Sequence, residues 1–206
     1  MKENLSKEDS LKVLFVDACM RGRQSRTIEV AEFLLELFCK KYRKEGVNVS
    51  VDRVNLSDGS FTPMDGETVA LRDSLTKKGD YDHRMFDGAK QLASSDILMI
   101  AAPCWDLSFP AMLKVYIENM VVYGLTFTTE GNWFKGLCNV RQTFYVSTAG
   151  GDISRQPWGV NYIKEIAGML GLGQVTSYMA GCMDIYGENP DNIIQTLKDE
   201  ISSDFE

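Results

Sequence analysis

The chain has 206 residues, 44% of them apolar, 25% charged and 10% aromatic, the make-up of one globular domain with a substantial core. No apolar run approaches the roughly 20 residues that cross a bilayer, so no membrane partner is expected. A net charge of -7 argues against a nucleic-acid partner, which needs a basic stripe to displace counterions. The polar opening, MKENLSKEDSLK, lacks the marks of a signal or transit peptide. Residues 1–10 are therefore expected to be a flexible tail, residues 11–206 one domain, and the location cytoplasmic.

In chain order, KVLFVDA (12–18) is a continuous run of strand formers, as in a strand covered on both faces. Ile28, Ala31, Leu35, Phe38 and Tyr42 then recur at spacings of three and four, one stripe of a helix that Gly46 can stop. VNVSVDRVNL (47–56) alternates and suits a strand nearer an edge. Residues 57–80 are turn-rich, with a short helix expected over 67–77, and read as an excursion at the domain edge.

DILMIAAP (96–103) is a second buried strand. Phe109, Leu113, Tyr116 and Met120 form the next helical stripe, with Ser108 expected as its N-cap and Pro110 in its first turn. TFYVSTAGG (143–151) and VTSYMAG (175–181) complete five strands. Two further stripes follow, Val160, Ile163, Ala167 and Leu170, then Ile193, Ile194, Leu197 and Ile201.

Strands alternating with helices predict an α/β fold, a parallel sheet wrapped on both faces by right-handed crossovers. Ligands of such sheets sit beyond the carboxyl ends of the strands. That end gathers the loops 18–27, 103–108 and 147–153. The first carries Arg21, Arg23 and Arg26 in an acidic chain, with Gln24, Ser25 and Thr27 at a helix start. Exposed N–H groups, the helix dipole and guanidinium groups together suit a phosphate; a plain capped turn is the alternative for this loop alone. Neither G-x-G-x-x-G nor G-x-x-x-x-G-K-[ST] is present.

In the second loop, Pro103 stiffens the strand exit, and Trp105 offers a flat face to a planar ring or packs on the sheet end. The amides of Cys104, Trp105, Asp106 and Leu107 are available to a ring edge. In the third, Ser147, Thr148, Ala149, Gly150 and Gly151 supply hydroxyls, and two glycines permit close approach or positive φ. Cys19, Cys39, Cys104, Cys138 and Cys182 lie at unrelated spacings beside a single histidine, His83, read as a surface residue. Neither a metal site nor a disulfide framework is expected.

RGRQSRT, APCWDLSFPAMLKVYIE, GLTF and STAGG, in this order and spacing, resemble the flavodoxin-2 family of FMN-dependent NAD(P)H oxidoreductases, which includes azoreductases and quinone reductases. The likeness runs from about residue 11 to the end. It implies a flavodoxin-like sheet of order 2-1-3-4-5, FMN as cofactor, and NADH or NADPH as co-substrate reducing a quinone-like or azo acceptor. Arg21, Ser25 and Thr27 would take the FMN phosphate, with the Gln24 amide of the same loop beside them, 103–107 the isoalloxazine and 147–151 its pyrimidine side. No catalytic side chain beyond the flavin is implied. The Cys104-Trp105-Asp106 run departs from the azoreductase pattern, which bears on the acceptor and not on the cofactor. A flavodoxin-type electron carrier is the alternative.

A homodimer is the expected assembly. Its interface would use Tyr116, Met120, Val121, Val122 and Tyr123 with Phe127, Trp133 and Phe134, unless these aromatics fold back on their own domain.

Overall fold

The computed structural model describes residues 10–154 and 157–206; the tail expected over 1–10 lies almost wholly outside them. Thirteen elements follow in order: β1 (Ser10–Asp17), α1 (Arg26–Lys44), β2 (Asn48–Asn55), α2 (Gly66–Lys78), α3 (Asp87–Ala93), β3 (Ile97–Ala101), α4 (Ala111–Met120), β4 (Phe127–Glu130), β5 (Trp133–Gly136), β6 (Gln142–Thr148), α5 (Trp158–Leu170), β7 (Gln174–Ala180) and α6 (Pro190–Phe205).

The main sheet runs β2-β1-β3-β6-β7, and every neighbouring pair is parallel. Counted along its own strands this is the expected 2-1-3-4-5. The numbering shifts because β4 and β5 form a separate antiparallel hairpin between α4 and β6. That hairpin and α3 have no counterpart in the sequence reading. Phe86, at the N-cap of α3, and Ala89 and Leu92 within it are buried at helical spacing, but Gly88 and the short run hide the pattern.

Each face of the sheet has its own core. Val13, Phe15, Met99, Phe144 and Tyr178 pack under α1 and α6, against Leu34, Phe38, Leu197 and Ile201. Leu14, Val16, Leu98, Ile100 and Tyr145 pack under α4 and α5, against Leu113, Ile117, Val160 and Ile163. The side chains of β1 thus alternate between two apolar layers, which is why its sequence reads as unbroken.

Two boundaries differ from expectation. The strand read over 143–151 ends at Thr148, leaving Ala149, Gly150 and Gly151 as loop. Helix α4 begins at Ala111 with Pro110 as its N-cap, so Ser108 caps nothing. The Ser108 backbone is engaged elsewhere: its N–H donates to the Trp105 carbonyl at 2.9 Å, and the Trp105 N–H returns a bond at 3.2 Å. The excursion holds as an edge feature. Helix α2 buries none of its residues and is started by the Asp65 carboxylate, which accepts from the Thr68 N–H at 2.8 Å. His83 is exposed, its Nδ1 accepting from the Met85 N–H at 3.2 Å.

Candidate active site

A cleft of about 210 Å³ opens at the carboxyl ends of β1, β3, β6 and β7, lined by Arg21, Gln24, Ser25 and Arg26, by Pro103, Cys104 and Trp105, by Thr148, Ala149 and Gly150, and by Met183 and Asp184. The strand order is what brings these loops together: β1, β3 and β6 are successive neighbours, and β7 adds the last wall.

The first loop forms a tight turn between β1 and α1. The Gly22 N–H donates to the Cys19 carbonyl at 2.8 Å, and the Ser25 N–H to the Gly22 carbonyl at 3.0 Å, with Gly22 at φ 54°. Ser25 takes the extended N-cap position of α1, yet its side chain makes no capping bond. The first bond into the helix is from the Glu29 N–H, so the N–H groups of Arg26, Thr27 and Ile28 meet no protein acceptor among the described residues. Arg21, Arg23 and Arg26 are exposed and have no carboxylate partner among them either. Free helix donors beside unpaired guanidinium groups are an anion site in composition and placement.

Thr27 stands apart from that set. It is fully buried, and its hydroxyl shares a 2.7 Å hydrogen bond with that of Thr148, across the boundary between the first and third loops. Ser147 is also buried, beside the Tyr145 hydroxyl, which burial holds well above the usual phenol range. Thr27 and Ser147 lie beneath the cleft and not on its wall.

In the second loop, Asp106 and Leu107 both adopt left-handed backbone, φ 49° and 70°. They form the tip of a miniature hairpin closed by the Trp105–Ser108 bridge. For leucine this conformation is costly, on the order of 1–2 kcal/mol. The bridge fixes Trp105, which is 39% exposed on the cleft wall, while Leu107 projects outside it at 62%. Of the four amides that this loop's sequence makes available to a ligand, most are taken. The Cys104 N–H donates to the Thr148 carbonyl at 2.9 Å, the Trp105 N–H to Ser108, and the Leu107 N–H faces the Cys104 thiol. That thiol is held above its ordinary value by burial and then by the Asp106 carboxylate.

The third loop lies against the segment that follows β7. Backbone bonds join Cys182 N–H to the Gly151 carbonyl, Met183 N–H to Ala149 and Asp184 N–H to Gly150, at 2.9, 3.1 and 3.0 Å. Gly181 is there for clearance: a Cβ at that position would stand 2.6 Å from the Gly151 carbonyl oxygen. Neither Gly150 nor Gly151 has positive φ, so the expected left-handed freedom is not used. A Cβ on Gly150 would overlap the Asp184 carboxylate, whereas Gly151 faces open space. The N–H groups of Gly150 and Gly151 meet no protein acceptor among the described residues.

Met183 and Asp184 lie outside the three loops that the sequence singles out; the run YMAGCMD, with a glycine and then an aspartate past a strand's carboxyl end, is the local signal for them. A wider, shallow groove of about 940 Å³ lies between α1 and β2. Two of its charged pairs are internally satisfied, Arg53 with Glu32 at 2.5 Å and Lys198 with Glu29 at 2.6 Å.

A family model described as a flavodoxin-like fold, Flavodoxin_2, matches residues 11–204. The chain belongs to this family. Among curated proteins it is 31% identical to the FMN-dependent NADH:quinone oxidoreductase 2 of Clostridium acetobutylicum, the match covering 89% of this chain and 92% of that one. Among solved structures, this Flavodoxin_2 chain superposes on an azoreductase from Bacillus anthracis with a TM-score of 0.80 at 19% identity, over 95% and 98% of the two chains. A second structure is an FMN-dependent NADH-azoreductase of the same species in complex with FMN. It gives 0.76 at 19% identity, over 96% and 97%. At that identity the superpositions establish the fold of this family member.

Proposed function

We propose that the protein is an FMN-dependent NAD(P)H oxidoreductase that reduces quinone-like or azo aromatic acceptors. The observation that carries this reading is the set of unspent donors at one cleft: the N–H groups at the start of α1 with Arg21 and Arg26, next to Trp105 and the Gly150 amide, with the Gly151 amide just beyond the wall. The donor set fits FMN. A terminal phosphate matches the helix start and the two guanidinium groups, and the indole matches a planar ring. The name of the Clostridium acetobutylicum relative, over nearly the whole chain, supports the same cofactor and a quinone acceptor.

On this reading Arg21, Arg26, Gln24 and Ser25 hold the phosphate. Thr27 acts from below through its bond to Thr148 on the wall, keeping the phosphate loop and the glycine loop in register. Trp105, held by its bridge to Ser108, flanks the ring, and the Gly150 and Gly151 amides address its polar edge. When bound, FMN supplies two-electron chemistry, taking hydride from a nicotinamide and giving it to the acceptor. Preorganised amides at that edge favour developing negative charge.

The proposal extends to a homodimer. Tyr123, Phe127, Phe134 and Trp133 form a chain of ring contacts at 5.7, 5.9 and 6.3 Å along the β4–β5 hairpin. Trp133 is 77% exposed and lines no part of its own cleft, so it does not fold back there. Tyr116, Met120 and Val122, which the sequence reading offered to the interface, are core and unavailable to it.

The direct test is the absorption spectrum of purified protein titrated with FMN, followed by anaerobic addition of NADH and then menadione. Uptake of one FMN per chain, bleaching by NADH and recovery with menadione are expected. Protein that takes up no FMN is incompatible with the proposal.

A further inference from the structure

Asp184 is the one acidic residue lining the cleft among the described residues, and the walls around it otherwise favour anions. Its position is imposed. The three backbone bonds between 182–184 and 149–151 fix its Cα relative to Gly150, and the turn leading into it requires Cys182 at φ 65°, a left-handed non-glycine residue. The absent side chain of Gly150 leaves the space that the carboxylate occupies. No cation stands within ion-pair distance of that carboxylate among the described residues. An unpaired negative charge is thus held in a site whose remaining groups attract negative charge.

We propose that Asp184 is a charge-setting residue of the cofactor site, lowering the reduction potential of bound FMN and holding its affinity below what Arg21 and Arg26 alone would give. This rests on the FMN reading above. A ligand filling a cleft of about 210 Å³ lies within a Debye length of every charged group on its walls, about 8–10 Å in ordinary buffers. Repulsion from Asp184 therefore acts on the FMN phosphate and on whatever negative charge the cofactor gains when reduced. The consequence is a stronger reductant, able to serve acceptors of lower potential.

Asp184→Asn removes the charge and keeps the shape. The readouts are the FMN dissociation constant from fluorescence quenching and the midpoint potential by equilibration with a reference dye. The asparagine variant should bind FMN about three- to tenfold more tightly. Its potential should rise by up to about 30 mV, the two-electron equivalent of tenfold. Asp184→Ala should match the asparagine variant, and both differences should shrink in about 1 M salt, where screening is short-ranged. An asparagine variant with the wild-type potential overturns the proposal, whatever its affinity. A shift in the alanine variant alone also overturns it, since that would mark a space-filling role. Wild-type protein that binds no FMN instead overturns the cofactor reading, a distinguishable failure.

Discussion

Arg21 and Arg26 reach the cleft from opposite ends of one short turn, Arg21 before Gly22 and Arg26 as the first residue of α1. Each is expected to make a charge-assisted bond to phosphate, worth roughly 1.5–3 kcal/mol. Arg21→Ala and Arg26→Ala should each weaken FMN about ten- to over a hundredfold in a fluorescence titration. Unchanged dissociation constants in both would place the phosphate elsewhere. Cys19, directly below this turn, bears on stability. Burial pushes its thiol up to about 12, from an ordinary value of 9.0, with the nearby Ser25 hydroxyl opposing and Asp17 adding to the rise. Below pH 9 the thiol is protonated folded and unfolded, and its contribution is complete. Between about 9 and 12 only the unfolded chain gives up the proton, so stability falls with rising pH, by at most about 1.4 kcal/mol per unit. Cys138, raised to about 12 by burial alone, adds a second such loss. Urea midpoints measured from pH 8 to 11 should decline less steeply for Cys19→Ala than for wild type. Parallel curves would mean that the thiol ionises freely in the folded state.

At the scale of elements, the joins between loops are set by glycines at which backbone meets backbone. A methyl at Gly181 would press on the Gly151 carbonyl and, at 3.1 Å, the Ile153 N–H, so Gly181→Ala should move the third loop without touching the cleft wall. The expected outcome is a cost of about 1–3 kcal/mol in unfolding free energy together with weaker FMN binding. A variant equal to wild type in both measurements would show that the two segments part freely. Five parallel strands and the main helical stripes were legible because continuous β-rich runs and three-four spacing report burial on both faces or on one. What escaped was set by tertiary partners. Ser108 and Pro110 carry helix-start chemistry, but the Ser108 backbone serves the Trp105 bridge, and no local pattern announces that. Thr27 and Ser147 have the right chemistry for a ligand and the wrong depth, which depends on the opposing strand. Asp184 has only the faint signal of a glycine and an aspartate after a strand, because the wall it belongs to exists only once β7 lies beside β6.

For the molecule as a whole, the hairpin gathers exposed aromatic side chains, Trp133 and Phe134, in one ribbon. Its base is anchored where Gly136 meets the end of α5 so closely that a Cβ would enter the backbone of Leu170 and Gly171. The aromatic ribbon beyond that anchor is therefore presented in a defined place, as a two-fold interface requires. Trp133→Glu should convert the proposed FMN-loaded dimer to a 23.1 kDa monomer in sedimentation at micromolar concentration. Wild-type protein that already sediments as a monomer with full NADH–quinone activity would rule the assembly out.

The bond between the Thr27 and Thr148 hydroxyls has a thermodynamic consequence for the ligand-free protein. Either oxygen can donate in this bond, which ties the first turn of α1 to the end of β6 without help from solvent or ligand. The tie opposes separate opening of the loop before α1 and the loop after β6, by about 1 kcal/mol. Association should therefore carry little ordering cost, and calorimetry should find a heat-capacity change no larger than the covered ligand and cleft surface explains. Thr27→Val keeps the shape of the side chain, breaks the tie and leaves the Thr148 hydroxyl unpaired. In that variant the heat-capacity change should become more negative and the entropy of binding less favourable, as the loops acquire disorder that the cofactor must then remove.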